Sequence, residues 1–317
     1  MKIKLDFEAP IEETKKMLNR LKELHGNNDG EFDEQIKELE EKIKNQRAQI
    51  YANLTPWQTV KIARHIKRPL FKEYISMIFT DFIELHGDRR FSDDPAIIGG
   101  FARINKQKVM LIGHNGGRKI DELKLCNFGM AKPDGYRKAL RLMKLAENFN
   151  IPIITFINTK GAFPGQDAEE RGQSEAIAKN LTEMSQITVP IISLITGEGG
   201  SGGAIGIGVG DVILMMSFSI YSVISPEGCA AILWRDASQS PAAADALKLT
   251  APSLKKLGVI DEIIEEPIGG AHNDPVEAAA SIKEALLRHL KNLNSYSTSK
   301  LIHKRFEKYT KIGQFNK

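Results

Sequence analysis

Cysteine is scarce in this 317-residue chain, which contains only Cys126 and Cys229. The two lie far apart and form no CxxC pair, so a zinc ribbon is excluded within this chain and a disulfide framework is not expected. Histidine offers no metal site either, because the seven histidines are scattered and show no HExxH spacing. The expectation is two reduced thiols in an intracellular protein that binds no metal of its own.

Long apolar runs and an excess of one charge are also missing. No window approaches the ~18 uninterrupted apolar residues that a membrane span needs, and residues 1–7 contain no hydrophobic signal core. The 44 basic and 40 acidic residues are well mixed and leave a net charge of only +4. These absences predict a cytoplasmic protein with no membrane segment and no dedicated nucleic-acid surface.

The first 55 residues predict a helical hairpin. Apolar residues along Pro10–His25 are spaced as on one face of a helix, and the run GNNDG at 26–30 interrupts the pattern before Asp33–Ala52 resumes it. The stripe is too short for a committed coiled coil. We therefore expect residues 1–55 to form an extension that packs on its own chain or on a partner subunit.

Residues 56–293 predict a mixed domain, followed by a polar, basic tail over 294–317 that is expected either to form a short helix or to be partly disordered. The elements expected in the domain are a β-hairpin from Ile97–Asn105 and Lys108–His114, a helix over Tyr136–Asn150 capped by Asp134, strands at Asp211–Met216 and Ile220–Ile224, and a closing helix at Pro275–Leu293.

An internal repeat sets the fold class. Residues 151–157 (IPIITFI) reappear as 189–195 (VPIISLI), thirty-eight positions later. Each copy is a continuously apolar strand opened by proline, and each runs into a glycine-rich segment and then into small or helical residues. Continuously apolar strands are covered on both faces, and repeated strand–loop–helix units imply a stack of equivalent elements. The sequence therefore predicts an α/β protein.

The run from Gly197 to Gly203 (GEGGSGG) is the main candidate for chemistry, and it matches three patterns. As G-x-G-x-x-G it would bind a dinucleotide, but that fold needs an acidic residue about twenty positions on, and residues 216–219 (MSFS) supply none. As G-x-S-x-G it would be a hydrolase elbow with Ser201 as nucleophile. The formally available triad partners are Asp245 or Asp261 with His272, His289 or His303. Four consecutive small residues predict a more open loop than that strained turn requires.

The third interpretation is a site for an oxyanion. Main-chain N–H groups at a strand end and a helix start are donors for negative charge, and glycine allows a ligand to approach the backbone. The first repeat carries a similar segment from Gly161 to Gly165, and paired glycine loops suit enolate chemistry on a thioester. A purely structural role as tight turns stays open at this point.

Several stretches carry a resemblance to a known family. They are NFGM at 127–130, GYRKALRLM at 135–143, AEERGQSEA at 168–176, GEGGSGGA at 197–204, YSVISPEGCA at 221–230 and GGAH at 269–272. Together they resemble the alpha subunits of bacterial acetyl-CoA carboxylase carboxyltransferase over about residues 5–293. The resemblance implies a crotonase-type fold, a superhelix of ββα units, here preceded by the N-terminal helical hairpin.

The resemblance also implies a reaction and a set of partners. The expected reaction moves a carboxyl group from carboxybiotin, held on the biotin carboxyl carrier protein, to acetyl-CoA, giving malonyl-CoA for fatty acid synthesis. The alpha subunit would act only with a zinc-ribbon beta subunit in an α2β2 assembly, beside an ATP-using biotin carboxylase. The expected donors to the biotin oxygen are the N–H groups of Gly202 and Gly203. Other residues expected at the cofactor site are Gly199, Gly200, Ser201, Gly161, Ala162 and Gly165.

One segment departs from the family pattern. Relatives read Asp-Thr-Pro-Gly-Ala-Tyr-Pro-Gly where this chain has NTKGAFPG at 158–165. The replacements Asn158, Lys160 and Phe163 put in doubt any role of the family's Asp or Tyr, but not a backbone role for the loop. The alternatives are a carboxyltransferase for another acyl-CoA, a biotin-dependent decarboxylase, or a scaffold without activity.

Overall fold

The structure of the protein is a computed structural model that describes residues 5–25 and 32–313. The first seven helices are α1 (Ala9–His25), α2 (Asp33–Ala52), α3 (Pro56–Ala63), α4 (Phe71–Ile78), α5 (Ile120–Leu125), α6 (Pro133–Asn148) and α7 (Gln166–Glu170). The following seven are α8 (Gln173–Gln186), α9 (Ser201–Ile205), α10 (Pro226–Trp234), α11 (Ser240–Ala246), α12 (Ala251–Lys256), α13 (Pro275–Leu293) and α14 (Thr298–Thr310). Within the described residues, none of the helices combines the length and the apolar character that a membrane crossing requires.

One mixed sheet organises the main body of the chain. Its strands are β1 (Thr80–Glu84), β2 (Ile97–Ile104), β3 (Gln107–His114), β4 (Ile153–Thr159), β5 (Ile191–Gly200), β6 (Val212–Met216), β7 (Ile220–Ser222) and β8 (Glu262–Ile264). The order is β1-β2-β3-β4-β5-β6-β8, and β7 pairs with the end of β5. β1, β2 and β3 run antiparallel, which includes the predicted hairpin, whereas the pairs from β3 onward are parallel.

The repeated strands form the centre of the core. Ile153 pairs with Ile191, which is the thirty-eight-residue offset of the sequence repeat. Ile154 and Ile192 face a cluster with α4 and α13, whereas Ile153 and Ile191 face a second cluster with α6 and α8. Both faces are thus covered, and each Leu or Ile buried in this way contributes about 1.5–3 kcal/mol.

The N-terminal hairpin packs on its own chain. α1 and α2 are linked by a hydrogen bond of 3.0 Å from the Thr14 hydroxyl to Gln46. At the end of α2, the Tyr51 side chain is buried with Leu5 and Ile62, and its ring lies 5.4 Å from that of Phe218. The predicted break at 26–30 lies outside the described residues.

Asp134 was predicted as the cap of α6, and that prediction is wrong. The helix begins at Pro133, whose fixed φ suits a first helical position. Asp134 therefore lies inside the first turn, where its buried carboxylate accepts hydrogen bonds from Arg137 at 2.9 Å and from Arg171 at 3.1 Å.

The C-terminal segment contains a helix, α14, that is fixed to the domain by a buried ion pair. Arg305 on α14 is fully buried and makes two hydrogen bonds of 2.8 Å to the Asp211 carboxylate, just before β6. The same guanidinium donates to the carbonyls of Met184, Ile187 and Val189 at 2.7–3.1 Å. Three charge-assisted hydrogen bonds therefore hold α14 against the end of α8 and the segment that follows it, and two more hold it to Asp211 before β6.

Candidate functional site

The two glycine segments meet at one edge of the sheet. β4 and β5 are in parallel register up to Ile157 and Ile195, and after a bulge Thr159 lies opposite Gly199. We call residues 161–165, which follow β4, the first glycine segment, and residues 197–203, at the end of β5, the second. Since parallel strands end at the same edge, the two segments lie side by side.

Two glycines of the second segment allow its backbone to touch that of the first. A Cβ added at Gly200 would overlap the carbonyl group of Lys160, and one added at Gly203 would overlap the peptide between Gly161 and Ala162. Main chain, rather than a movable side chain, is the obstacle in both cases. Any side chain at Gly200 or Gly203 would therefore push the two segments apart.

The remaining glycines of the site have different neighbours. A Cβ at Gly199 would lie 2.8 Å from the Tyr221 ring, so this glycine lets β7 close against β5. Gly165 precedes α7 and packs under the ring of Phe163. Gly161, Ala162 and Gly165 are predicted together at the cofactor site, and the peptide between Gly161 and Ala162 is the part of this set that abuts Gly203.

The predicted open loop is wrong, because the second segment is a tight turn from strand to helix. β5 continues through Gly200, and α9 starts at Ser201, which has the left-handed value φ 53°. Gly197 and Gly199 lie within the strand, whereas a dinucleotide fingerprint would place them in a turn. The sharp turn resembles a nucleophile elbow more closely than the sequence suggested.

The hydrolase interpretation fails instead because the acid and histidine residues predicted as triad partners of Ser201 interact with other side chains. His289 bonds Glu262 at 2.8 Å, the ring centroid of His272 lies 4.0 Å from that of His65, and His303 lies 3.5 Å from Glu307. Asp261 pairs with Lys308, and Asp245 with Lys248. Within residues 5–25 and 32–313, none of these groups meets Ser201, so no triad is assembled around its hydroxyl.

Gly202 borders a cavity. Ser201 and Gly202 line a space of about 320 Å³ together with mainly apolar residues, among them Ile205, Tyr221, Val223 and Leu254. Burial raises the pKa of Tyr221 to about 12, so its phenol is neutral. Gly203, by contrast, is buried against the first segment. Since the N–H groups of a first helical turn have no helical acceptors, the accessible donor at this cavity is on the Gly202 side of the turn.

The replaced residue Asn158 holds the end of β5. Its side-chain oxygen accepts a hydrogen bond of 3.0 Å from the N–H of Glu198, and the amide lies against Gly197. A carboxylate would accept the same bond, so the change from the family's Asp preserves this contact. The other two replaced residues are Lys160 and Phe163. The Lys160 side chain is exposed. The Phe163 ring lies under the ammonium group of Lys132, which is 5.0 Å from the ring centre.

Arg64 is a site residue that sequence analysis missed. It follows α3 and makes two hydrogen bonds of 2.6 and 2.9 Å to Glu198, and a third of 2.6 Å to Glu227 at the start of α10. Burial alone would lower the pKa of Arg64, but the two carboxylates hold it above its usual value. The guanidinium therefore ties the second glycine segment to α3 and α10, and it occupies both oxygens of Glu198.

His114 lies buried at the end of β3, near the backbone of Phe156 and Gly203. Burial lowers the pKa of His114 to about 4, against a weaker raising effect of those two backbone groups. The imidazole is consequently neutral at pH 7, under the turn that carries Gly203.

This burial predicts a loss of stability in mild acid. Between pH 6.5 and 4 the unfolded chain binds a proton at His114 that the folded chain does not, so the free energy of unfolding falls as the pH drops. From pH 7 to pH 5 the expected contribution is about 2 kcal/mol. Urea unfolding of the wild type and of His114→Gln at both pH values measures it. Equal losses in the two proteins would contradict this assignment.

No metal centre is found among the described side chains. Over residues 5–25 and 32–313, no group of three or more His, Cys, Asp or Glu is placed to hold an ion. Cys126 and Cys229 are both free and buried.

The sheet order and the paired turns define the class of protein. The fold is the crotonase type found in carboxyltransferases, as solved structures show. The chain superposes on transcarboxylase 12S with a TM-score of 0.55 and 18% identity, covering 78% of this chain and 42% of that one. The beta subunit of geranyl-CoA carboxylase from P. aeruginosa gives a TM-score of 0.55 and 17% identity, covering 83% and 48%.

Sequence comparisons then give the particular family. A family model described as acetyl co-enzyme A carboxylase carboxyltransferase-like matches residues 4–313. The chain is 55% identical to the acetyl-coenzyme A carboxylase carboxyl transferase subunit alpha of Geobacter metallireducens, over 98% of both chains. It is 54% identical to that of Bacillus cytotoxicus, over 98% of this chain and 96% of the relative. The chain belongs to the family of acetyl-CoA carboxylase carboxyltransferase alpha subunits, and the predicted family and fold class are confirmed.

Proposed function

We propose that this chain is the alpha subunit that transfers the carboxyl group of carboxybiotin to acetyl-CoA, giving malonyl-CoA, the first committed step of fatty acid synthesis. The observation that carries the proposal is the tight turn at 200–203, in which Ser201 and Gly202 border a largely apolar cavity. A ureido oxygen on a mostly apolar bicyclic ring fits such a wall. Near full-length identity to named alpha subunits supports the same assignment.

The chain's own contribution is electrostatic. When bound, carboxybiotin would supply both the carboxyl group and, once that group has left, the base for the methyl proton of acetyl-CoA, so that a C–N bond is exchanged for a C–C bond. The N–H groups of Gly202, which borders the cavity, and of Gly203, which lies one residue further into the turn, would stabilise the charge that develops on the ureido oxygen. One such donor is worth about 2.7–4 kcal/mol. No side-chain base is needed, which fits the occupied carboxylate of Glu198.

The site is half of a larger one. A beta subunit with a zinc ribbon would supply the second oxyanion hole, for the thioester, in an α2β2 assembly that works with the biotin carboxyl carrier protein and biotin carboxylase in the cytoplasm. We further propose three regions, the hairpin at 1–55, the carboxyltransferase domain at 56–293 and the tail at 294–317. The fixed helix α14 lies in the last of these.

Reconstitution tests the function. The full chain is mixed with its beta subunit and carboxybiotin, and malonyl-CoA formation is measured from acetyl-CoA. We expect transfer only with both subunits present. Faster transfer to propionyl-CoA, or decarboxylation of malonyl-CoA without transfer, would replace the proposal by the corresponding alternative. If the assembled complex transfers the carboxyl group to no acyl-CoA, the proposal is replaced by the alternative of a scaffold without activity.

Replacing Ser201 by alanine separates the hydroxyl from the main chain. Because Ser201→Ala keeps the N–H groups of the turn, we expect transfer to stay within about threefold of the wild type. Steady-state kinetics of the reconstituted complex measure this. A loss of several orders of magnitude would revive Ser201 as a nucleophile.

A further inference from the structure

A pair of adjoining cavities lies at the opposite end of the sheet from the glycine segments. The larger, of about 700 Å³, is bordered by Pro152 and Pro190, which immediately precede β4 and β5. The glycine segments follow the other ends of the same strands. Seven residues of extended β4 separate the two ends, a distance of roughly 20 Å, so this cavity is distinct from the proposed catalytic site.

The larger cavity is basic, and we call it the basic cavity. Arg103, Lys106 and Lys108 on the β2–β3 hairpin line it, and its lining contains no aspartate or glutamate. Arg103 pairs with Asp81 at 3.2 Å, but the ammonium groups of Lys106 and Lys108 have no ion-pair partner among the described residues. Two uncompensated cations at one concave surface favour an anionic ligand.

The opposite wall of the basic cavity adds to this charge. The Tyr296 ring lines the cavity and carries two ammonium groups, those of Lys300 at 4.4 Å and Lys304 at 5.2 Å from its centre. The start of α14, at Ser297 and Thr298, also borders the cavity and presents the positive end of a thirteen-residue helix. Lys300 and Lys304 are not among the residues that line the cavity, so they add positive charge around Tyr296 rather than direct contacts to a ligand.

An adjoining space is mainly apolar, and we call it the apolar cavity. It measures about 440 Å³ and shares Arg103, Lys108, Phe149 and Ile151 with the basic cavity. Its outer walls expose the side chains of Ile83 by 61% and Phe149 by 63%. Large apolar groups this exposed next to a charged cavity mark a binding surface rather than a core.

We propose that the joined cavities bind a phosphate ester that carries an apolar chain, with the phosphate in the basic cavity and the chain in the apolar cavity. The shared residues Arg103 and Lys108 lie where the two parts of such a ligand join. The basic cavity is roomy enough for more than one phosphate group, and cationic side chains are the usual phosphate partners. This site is independent of the carboxyl-transfer chemistry.

Calorimetric titration of the full chain with dodecyl phosphate, below its micelle concentration, tests the proposal. Inorganic phosphate tests the head alone, and dodecyl maltoside tests the chain with a neutral head. We expect dodecyl phosphate to bind more tightly than either. Equal binding of dodecyl maltoside and dodecyl phosphate would overturn the proposal, because the basic cavity would then contribute nothing.

Variants locate the site. Lys106→Gln with Lys108→Gln should weaken dodecyl phosphate binding by at least about tenfold, whereas Lys16→Gln with Lys37→Gln, on the N-terminal hairpin, should leave it unchanged. Unaltered affinity in the first pair, or equal losses in both pairs, would refute the location. Carboxyl transfer by the reconstituted Lys106/Lys108 variant should match the wild type, so failure of this site is distinguishable from failure of the proposed function.

Two natural sources share this chemistry. Dodecanoyl-coenzyme A tests a soluble thioester, and vesicles containing phosphatidic acid test a lipid surface. Binding of either one that is lost with Lys106 and Lys108 supports the proposal and names the source. If neither dodecanoyl-coenzyme A nor the vesicles bind, and dodecyl phosphate does not bind either, the proposed site is refuted.

Discussion

Gly202→Val is expected to lower carboxyl transfer by at least about a hundredfold while the fold and the subunit assembly persist. A Cβ at Gly202 would meet nothing closer than Ile177 at 3.6 Å, so a side chain can be accommodated there without moving main chain. The two methyl groups of valine would nevertheless cover the N–H that we assign to the biotin oxygen. Gly202→Ala should show a smaller loss, since one methyl group shields the donor less.

Substitutions at two further glycines serve as a control and a comparison for Gly202→Val. Gly116 is the matched control, because its added Cβ would also be free, with the nearest atom, on Leu70, at 4.0 Å. Gly203→Val is a different test, since it overlaps the Gly161–Ala162 peptide and should damage folding as well as transfer. Steady-state rates and thermal melting of each reconstituted variant are the measurements. Normal turnover in Gly202→Val would remove Gly202 from the mechanism.

Arg305→Met is expected to cost about 3–5 kcal/mol of unfolding free energy. The guanidinium and the Asp211 carboxylate are 1% and 4% exposed. Removing the cation leaves a buried carboxylate unpaired and three carbonyls without their donor. Methionine fills much of the volume, so the loss reports the charge rather than a cavity. Urea unfolding at pH 7 measures it.

A double substitution isolates the charge contribution. Asp211→Asn combined with Arg305→Met should recover part of the loss, because an amide tolerates burial without a cation better than a carboxylate does. Lys311→Met at the end of the same helix serves as the control, since Lys311 is 72% exposed and should change stability by less than about 0.5 kcal/mol. Additive effects at Arg305 and Asp211 would show that the pair is not coupled.

The features predicted correctly from the sequence are those that depend on local pattern, namely the repeated strands and the ends of two helices. The repeat predicted that residues 151–157 and 189–195 are equivalent covered strands, and in the structure β4 and β5 are neighbours that pair with the same thirty-eight-residue offset. The ends of α2 and α13 were predicted correctly, at Asp33–Ala52 and Pro275–Leu293, because breakers and caps lie at their boundaries.

Contacts between distant parts of the chain could not be predicted in this way. Arg64 bonds Glu198, which lies 134 residues further along the chain. The local sequence around either residue gives no indication of this contact. The tight turn at Ser201 was misjudged because small residues permit both open and sharp backbones. The sharp backbone is favoured in the structure because the main chain of residues 160–162 fills the space that a wider loop would use.

The pairing of Asp211 with Arg305 also has a consequence for biosynthesis. Ninety-four positions separate the two residues, so a ribosome adding 5–20 residues per second needs roughly 5 to 20 s to supply the cation after the carboxylate has emerged. During that interval β6 cannot be buried beside Asp211 without enclosing a lone charge. The nascent chain is therefore expected to keep this edge of its sheet hydrated, and open to chaperones and proteases, until α14 has been translated.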